Sequence, residues 1–436
     1  MAGWRTNLKD YYESVRKEFP VKAGAADNVS ILVPLHMVPN SEMLAEALNK
    51  IAPIVVIPKS SQRDDKTYQA ISSRFTMADI EKLPKAKAMA QQLAEHGHEF
   101  TFRDALRDEE LMREFIDTYV PAGNKILLLD IGGYYAPTLP KLLKDPKYAD
   151  RIIGVSEGTA NGVNGDKDTV GYRNIAEQLS IPVMTRAFDA TKQPENFSVG
   201  LGCVDAVNAI KTRLTDSALT HTDKVGLIGF GPVGEHIARS LKSRGIDVLV
   251  YDTNPAALAR AFMNGCKVTK DRDALLKTSD VLFLATGNKA ITQEDLPKLK
   301  DYAFLACVTS ADKEIGGFNN FSDMKHRDIM IDGRLGNREF DVGGKRINLM
   351  MNGKAVNFWM GAGSAHSALY LALGSWIPHV SKLLNDGDAM KTEVQNNLAA
   401  GISNRVQEMD KDTVTKVINL WLEHYGELVK EAPHRG

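Results

Sequence analysis

The chain has 436 residues, 43% of them hydrophobic and 25% charged, with a formal net charge of −1. That length exceeds a single core of ordinary size, so two or three domains are expected. The near-neutral balance gives no electrostatic reason to expect nucleic acid or an anionic membrane as partner. Cys203, Cys266 and Cys307 are too scattered for a disulfide framework or a zinc ribbon, and no metal site is expected.

At the N-terminus, MAGWRTNLKDYYESVRKEF alternates charge with aromatics and lacks the apolar centre of a signal peptide. No apolar run reaches membrane length, and a reducing cytoplasm is the expected compartment. Short β-branched runs then recur with helical patterns between them. The first half holds VSILVPL (29–35), IVVIP (54–58), KILLLD (125–130), RIIGVS (151–156) and IPVMTR (181–186). The second holds KVGLIGF (224–230), DVLVYD (247–252), VLFLAT (281–286) and YAFLACV (302–308). Strands alternating with helices predict an α/β protein of two doubly wound parallel-sheet domains. From about Ser364 the apolar spacing becomes helical and predicts a helical C-terminal tail.

The stretch VGLIGFGPVGEHIA (225–238) carries the clearest chemistry. A strand climbs into Gly229-Phe-Gly231-Pro232-Val233-Gly234, and an amphipathic helix follows. Gly229 permits a tight turn, Gly231 lets backbone approach a pyrophosphate, and Gly234 lets helix pack on strand. The helix N-terminus offers unpaired N–H groups and partial positive charge to phosphate. The next strand ends at Asp252, 21 residues beyond the central glycine. A carboxylate there accepts from both ribose hydroxyls and repels a 2′-phosphate, which favours NAD over NADP. The bland alternative is a glycine turn with no ligand.

Around this unit stand LHMVPNSEMLAEAL (35–48), LLLDIGGYYAPTL (127–139), GVSEGTANGV (154–163), DATKQPEN (189–196), LGCVDAVNAIKTRLTD (201–216) and NGKAVNF (352–358). Their order and spacing resemble the S-adenosylhomocysteine hydrolase family over roughly residues 28–370. The resemblance implies a substrate-binding domain at 1–200, a Rossmann NAD domain at 201–360, and a helical return with C-terminal tail at 361–436. It implies tightly held NAD, a small-molecule substrate and a homo-oligomer, dimer or tetramer. It also implies a reaction in which transient oxidation of a ribose alcohol acidifies a neighbouring C–H and drives loss of a β-thiolate. On this resemblance His36 matches a proton-transfer histidine, Glu157 an active-site glutamate, and Lys192 the lysine that assists hydride transfer. Thr286, Gly287, Asn288 and Asn357 match positions near the nicotinamide and its ribose.

The departures fall on the substrate side. The family's Asp-Asp-Gly-Gly is Asp130-Ile131-Gly132-Gly133 here, so a carboxylate gives way to an aliphatic group. Asp130 is a candidate replacement or simply a turn-former, and Asn196 or Glu195 a candidate for the family's aspartate after the lysine. Glu157 is equally able to cap the segment that follows it. Ser310 takes the place of a histidine, and Gly363-Ser364-Ala365 that of Gly-His-Pro, with His366 displaced. The adenine-contacting threonine and glutamate are Val38 and Asn40. Ser60-Ser61-Gln62 resembles a substrate segment. Three functions follow: a divergent NAD-dependent hydrolase or lyase acting on another nucleoside- or sugar-like substrate, a genuine adenosylhomocysteine hydrolase, or a catalytically silent NAD-binding homologue.

Overall fold

A computed structural model describes residues 3–95, 100, 102–165, 170–309, 314–317, 324–361 and 366–426. Two compact units emerge, one of residues 1–192 and 369–436, the other of residues 193–368.

The first unit is built on a seven-stranded parallel sheet. Its strands are β1 (Val29–Met37), β2 (Ile54–Arg63), β3 (Thr76–Met77), β4 (Lys125–Asp130), β5 (Ile152–Glu157), β6 (Val183–Thr185) and a late strand, Val406–Glu408. Across the sheet the late strand comes first, then β6, β5, β4, β1, β2 and β3. The strands read as apolar runs because both faces are covered, and alternate residues feed different cores. Ile31, Val33 and Leu35 of β1 join one cluster with Leu127 and Leu129 of β4. Leu32, Ile126, Leu128 and Val155 join the cluster on the other face. The helix Trp376–Ala399 closes the first of these cores with Trp376, Ile377, Val380 and Leu383.

In the second unit β7 (Val225–Ile228), β8 (Val248–Tyr251), β9 (Lys267–Thr269) and β10 (Val281–Leu284) are parallel. Strand Phe304–Cys307 follows β10, and Lys345–Met350 follows that. The inner order, β9-β8-β7-β10 and onward, reverses direction between β7 and β10, the doubly wound arrangement for dinucleotides. Alternation again sends Val281 and Phe283 to one core, Leu282 and Leu284 to the other.

All nine predicted strands form, each within the span expected or one to five residues longer or shorter at an end. Other strands lay beyond sequence reasoning. His326–Ile331 and Arg334–Val342, with Lys345–Met350, add an antiparallel meander to the second sheet. The strand Val406–Glu408 extends the first sheet in a region read as helical. A helix of 23 residues, Gln193–Thr215, opens the second unit. Its Gly200 lies where any Cβ would press on His236 at 2.7 Å, so this helix packs closely on Pro232–Ser243. No helix among the described residues is long and apolar enough to cross a membrane.

Candidate functional site

In the first sheet the chain runs from β1 outward to β3, then returns to β4 on the other side of β1. Such reversals leave a crevice at the carboxyl ends of the two strands, the usual ligand position in open α/β sheets. Strand periodicity then decides which side chains meet there. Leu32 and His36 share parity on β1, as do Leu128 and Asp130 on β4, and Val155 and Glu157 on β5. Leu32, Leu128 and Val155 all belong to one core. His36, Asp130 and Glu157 therefore cap the same face at the same sheet edge.

His36 pairs in register with Lys59 of β2. Burial, with the Lys59 charge beside it, holds the imidazole well below the usual histidine range. Its carbonyl accepts from Ser41 Oγ at 2.6 Å, which ties β1 to the helix Pro39–Asn49. Next on that helix, Asn40 is 1% exposed, and its amide oxygen and nitrogen both lack a partner among the described residues.

Asp130 and Glu157 are fully buried. Asp130 accepts from the amides of Ile131 (2.7 Å), Tyr134 (3.1 Å) and Tyr135 (3.1 Å), and from the Tyr172 hydroxyl (2.7 Å). Glu157 accepts from the Gly133 amide at 2.9 Å, the Gly132 amide at 3.1 Å, and the Thr159 amide and hydroxyl at 2.6 and 2.7 Å. Gly133 has φ +68°, and any Cβ on Gly162 would collide with the Glu157 carboxyl. The two carboxylates thus bind the loop after β4 to the loop after β5. Burial pushes both upward from the carboxylate range, Glu157 also through repulsion by Asp130. The cap of the short helix Ala160–Asn164 is Thr159, whose hydroxyl accepts from the Gly162 amide at 3.0 Å, and Glu157 holds Thr159 from below. Ile131 lies past the strand end, partly buried against both cores.

Lys192 ends the turn Ala190–Lys192 beyond β6, its amide donating to the Asp189 carbonyl at 2.9 Å. The Asp189 carboxylate lies 3.7 Å from His379 Nε2, and His379 Nδ1 lies 3.1 Å from the Ser156 hydroxyl. Arg186 stacks over the Trp376 ring at 4.4 Å and donates to the Ala372 carbonyl. Sequence reasoning missed His379, Asp189 and Arg186, because their partners come from segments up to some two hundred residues away. Asn196, half-buried, belongs to the other unit.

In that second unit the three glycines have different surroundings. A Cβ on Gly229, at φ +98°, would meet the Ala285 carbonyl oxygen at 2.6 Å. One on Gly234 would collide with the Gly229 carbonyl. A Cβ on Gly231 would meet nothing within 4 Å, so space beside the backbone there is open to a phosphate. Gly231 caps the helix Pro232–Ser243, with Pro232 at its first position and Val233 partly buried against the core. The Asp252 carboxylate accepts from the Phe230 amide at 2.7 Å and the Asn254 amide at 2.8 Å. It is thereby anchored beside the glycine turn, the place a ribose diol requires. After β10, the amides of Thr286 and Gly287 donate to the buried Glu314 at 3.1 and 2.9 Å, and the Thr286 hydroxyl at 2.8 Å. Asn288 extends beyond this clamp, its amide on the Thr286 hydroxyl at 2.9 Å. Glu314 was not anticipated: no local motif marks a residue whose backbone donors stand 27 and 28 positions earlier. Asn357 is buried, and its amide donates to the Cys203 thiol, which burial pushes up to about 12. Ser310, Gly363, Ser364 and Ala365, and the side chains of Ser60, Ser61, Gln62 and His366, lie outside the described residues.

Residues 200–363 match the family model "S-adenosyl-L-homocysteine hydrolase, NAD binding domain". A protein of Methanosarcina mazei named S-inosyl-L-homocysteine hydrolase is 27% identical over 287 residues, 63% of this chain and 61% of its own length. The chain thus spans under two thirds of that relative. Among solved structures, a dipicolinate synthase from Bacillus halodurans is 13% identical, covering 83% of this chain and 99% of its own, with a TM-score of 0.41. A phosphoglycerate oxidoreductase from Vibrio cholerae is 16% identical over 56% of this chain and 76% of its own, with a TM-score of 0.35. Likenesses this remote say nothing of function.

Proposed function

We propose that this chain, whose residues 200–363 match the NAD-binding domain of the S-adenosyl-L-homocysteine hydrolase family and whose cofactor is NAD, is a divergent enzyme of the same type. It acts on a nucleoside- or sugar-like substrate, oxidising a secondary alcohol transiently so that β-elimination or hydrolysis follows. One observation carries the reading: the chain joins a glycine turn open at Gly231 to a second parallel sheet whose reversal point gathers His36, Asp130 and Glu157.

NAD, when bound, supplies the hydride acceptor that turns the alcohol to a ketone and acidifies the adjacent C–H. Gly231 and the first turn of Pro232–Ser243 hold its pyrophosphate, and Asp252 its ribose hydroxyls. Thr286, Gly287, Asn288 and Asn357 lie toward the nicotinamide end. On the substrate side His36 is the proton-transfer group near the leaving group. Lys192 steadies the reacting hydroxyl, with Asn196 beside it in sequence as a second polar group. Asp130 and Glu157 hold the loops that shape the crevice, and Glu157 is the carboxyl nearest in role to a proton acceptor.

The substrate reading turns on Val38 and Asn40. Valine cannot replace a hydroxyl that recognises a purine edge. A carboxylate only accepts hydrogen bonds, whereas the Asn40 amide presents a donor and an acceptor together. That pair suits the lactam edge of an oxopurine, in keeping with the inosyl compound in the relative's name. Turned over, the same amide suits an aminopurine, which keeps adenosylhomocysteine as the second reading.

Assay of homocysteine release from the inosyl and adenosyl thioethers separates the two. Reduction of bound NAD by nucleosides and polyols tests the enzyme itself. The expected result is nicotinamide reduction and thiol release, both abolished by Lys192→Ala. Silence across the panel would leave an NAD-binding protein without catalysis.

A further inference from the structure

Lys59 lies on β2, in register with His36 and on the same face. Its Nζ does not stay over β2. It reaches the Tyr134 ring, 5.0 Å from the centroid, and Tyr134 belongs to the loop after β4. The side chain therefore crosses the end of β1 and brings its charge to the β1–β4 reversal point. It is half-buried, and among the described residues no carboxylate pairs with it. The two acids nearest along the sheet edge, Asp130 and Glu157, are each committed to four donors of the loops after β4 and β5. His36 beside it is held neutral and adds no compensating charge. A half-desolvated ammonium resting only on an aromatic face has unused capacity for an anion. Asn40, buried at the start of the helix leaving β1 with both amide atoms unpaired, is a second polar group of this end that the chain leaves without a partner among the described residues.

We propose that Lys59 is a specificity-determining residue for an anionic substrate, one that carries a carboxylate or phosphate within reach of the β1–β4 crevice. The inference rests on reading that crevice as the substrate pocket. Its ligand chemistry is an oxyanion held by one ammonium, which itself rests on the Tyr134 ring.

The experiment is calorimetric titration of the full-length, NAD-loaded protein with ribose-5-phosphate and ribonate, against neutral ribose and ribitol. The wild-type protein is expected to bind at least one of the anions about tenfold or more tighter than its neutral counterpart. Lys59→Met is expected to remove that preference with neutral binding unchanged, and Lys59→Arg to restore most of it. Phosphate and carboxylate arms tell which oxyanion the site takes. Equal binding of charged and neutral members, no binding of either anion, or a preference that survives Lys59→Met overturns the proposal. The enzyme reading fails separately, if no hydroxylated compound reduces the bound NAD while the anion preference stands.

Discussion

Gly231 and Gly234 stand three residues apart and look interchangeable in the sequence, yet their surroundings differ completely. Gly231 has an ordinary φ and open space where a Cβ would go, while Gly234 faces the Gly229 carbonyl. Gly231→Val is therefore expected to leave the melting temperature of the NAD-free protein within about a degree or two and to abolish NAD retention, read by absorbance of the purified protein. Gly234→Ala is expected to destabilise the second unit by about 1–3 kcal/mol through overpacking, read by denaturant unfolding. A histidine supplies the pH test. Burial holds His379 below the usual range, with Asp189 opposing. The unfolded chain then binds a proton near about pH 6.5 that the folded chain refuses, so this residue's share of stability is lost as pH falls below that value. The slope is about 1.4 kcal/mol per pH unit for one proton. Asp130 and Glu157, shifted upward, act with opposite sign, Glu157 from the ordinary carboxylate range up to its folded value of about 8. The measurable quantity is thus the difference between wild type and His379→Asn, which should flatten the slope below about pH 6.5.

The loops after β4 and β5 form one element in energetic terms, because Glu157 accepts from both. Four donors converge on it from Gly132, Gly133 and Thr159. Glu157→Gln replaces an acceptor oxygen by a donor facing other donors and is expected to cost about 1–3 kcal/mol. Gly162→Ala, whose Cβ would collide with the same carboxyl, should do comparable damage without touching any ionisable group. If Gly162→Ala abolishes turnover with the fold retained, the loops shape the crevice as proposed. If turnover persists with only stability lowered, Glu157 is a brace and nothing more. Glu314 repeats the device in the other unit, gripping Thr286 and Gly287. A buried glutamate under a strand-end loop is how this chain makes both of its candidate sites rigid.

Each unit carries its own pair of cores, so a ligand specific to one should stabilise that one first. NAD at about a hundred times its dissociation constant is expected to add about 2.7 kcal/mol to the unit of residues 193–368. Hydrogen exchange should show this as protection across β7, β10 and the glycine turn. Uniform protection of both units would mean that the two unfold together.

The residues alone determined the two parallel sheets, their nine main strands and the dinucleotide turn. Buried strands must be continuously apolar, and a phosphate turn must use glycine, so each leaves a local mark. His36 and Asp252 were also legible, since a strand end is visible in the pattern that precedes it. Only the fold decided the rest. The occupation of Asp130 and Glu157 by loop amides depends on donors brought in from elsewhere, and so does the clamp at Glu314. The pairing of His379 with Asp189, the Lys59 charge carried across β1, and the strand at Val406–Glu408 are contacts between segments far apart in the chain. Local physics writes itself into spacing and composition, whereas a carboxylate's partners exist only once the backbone has closed around it.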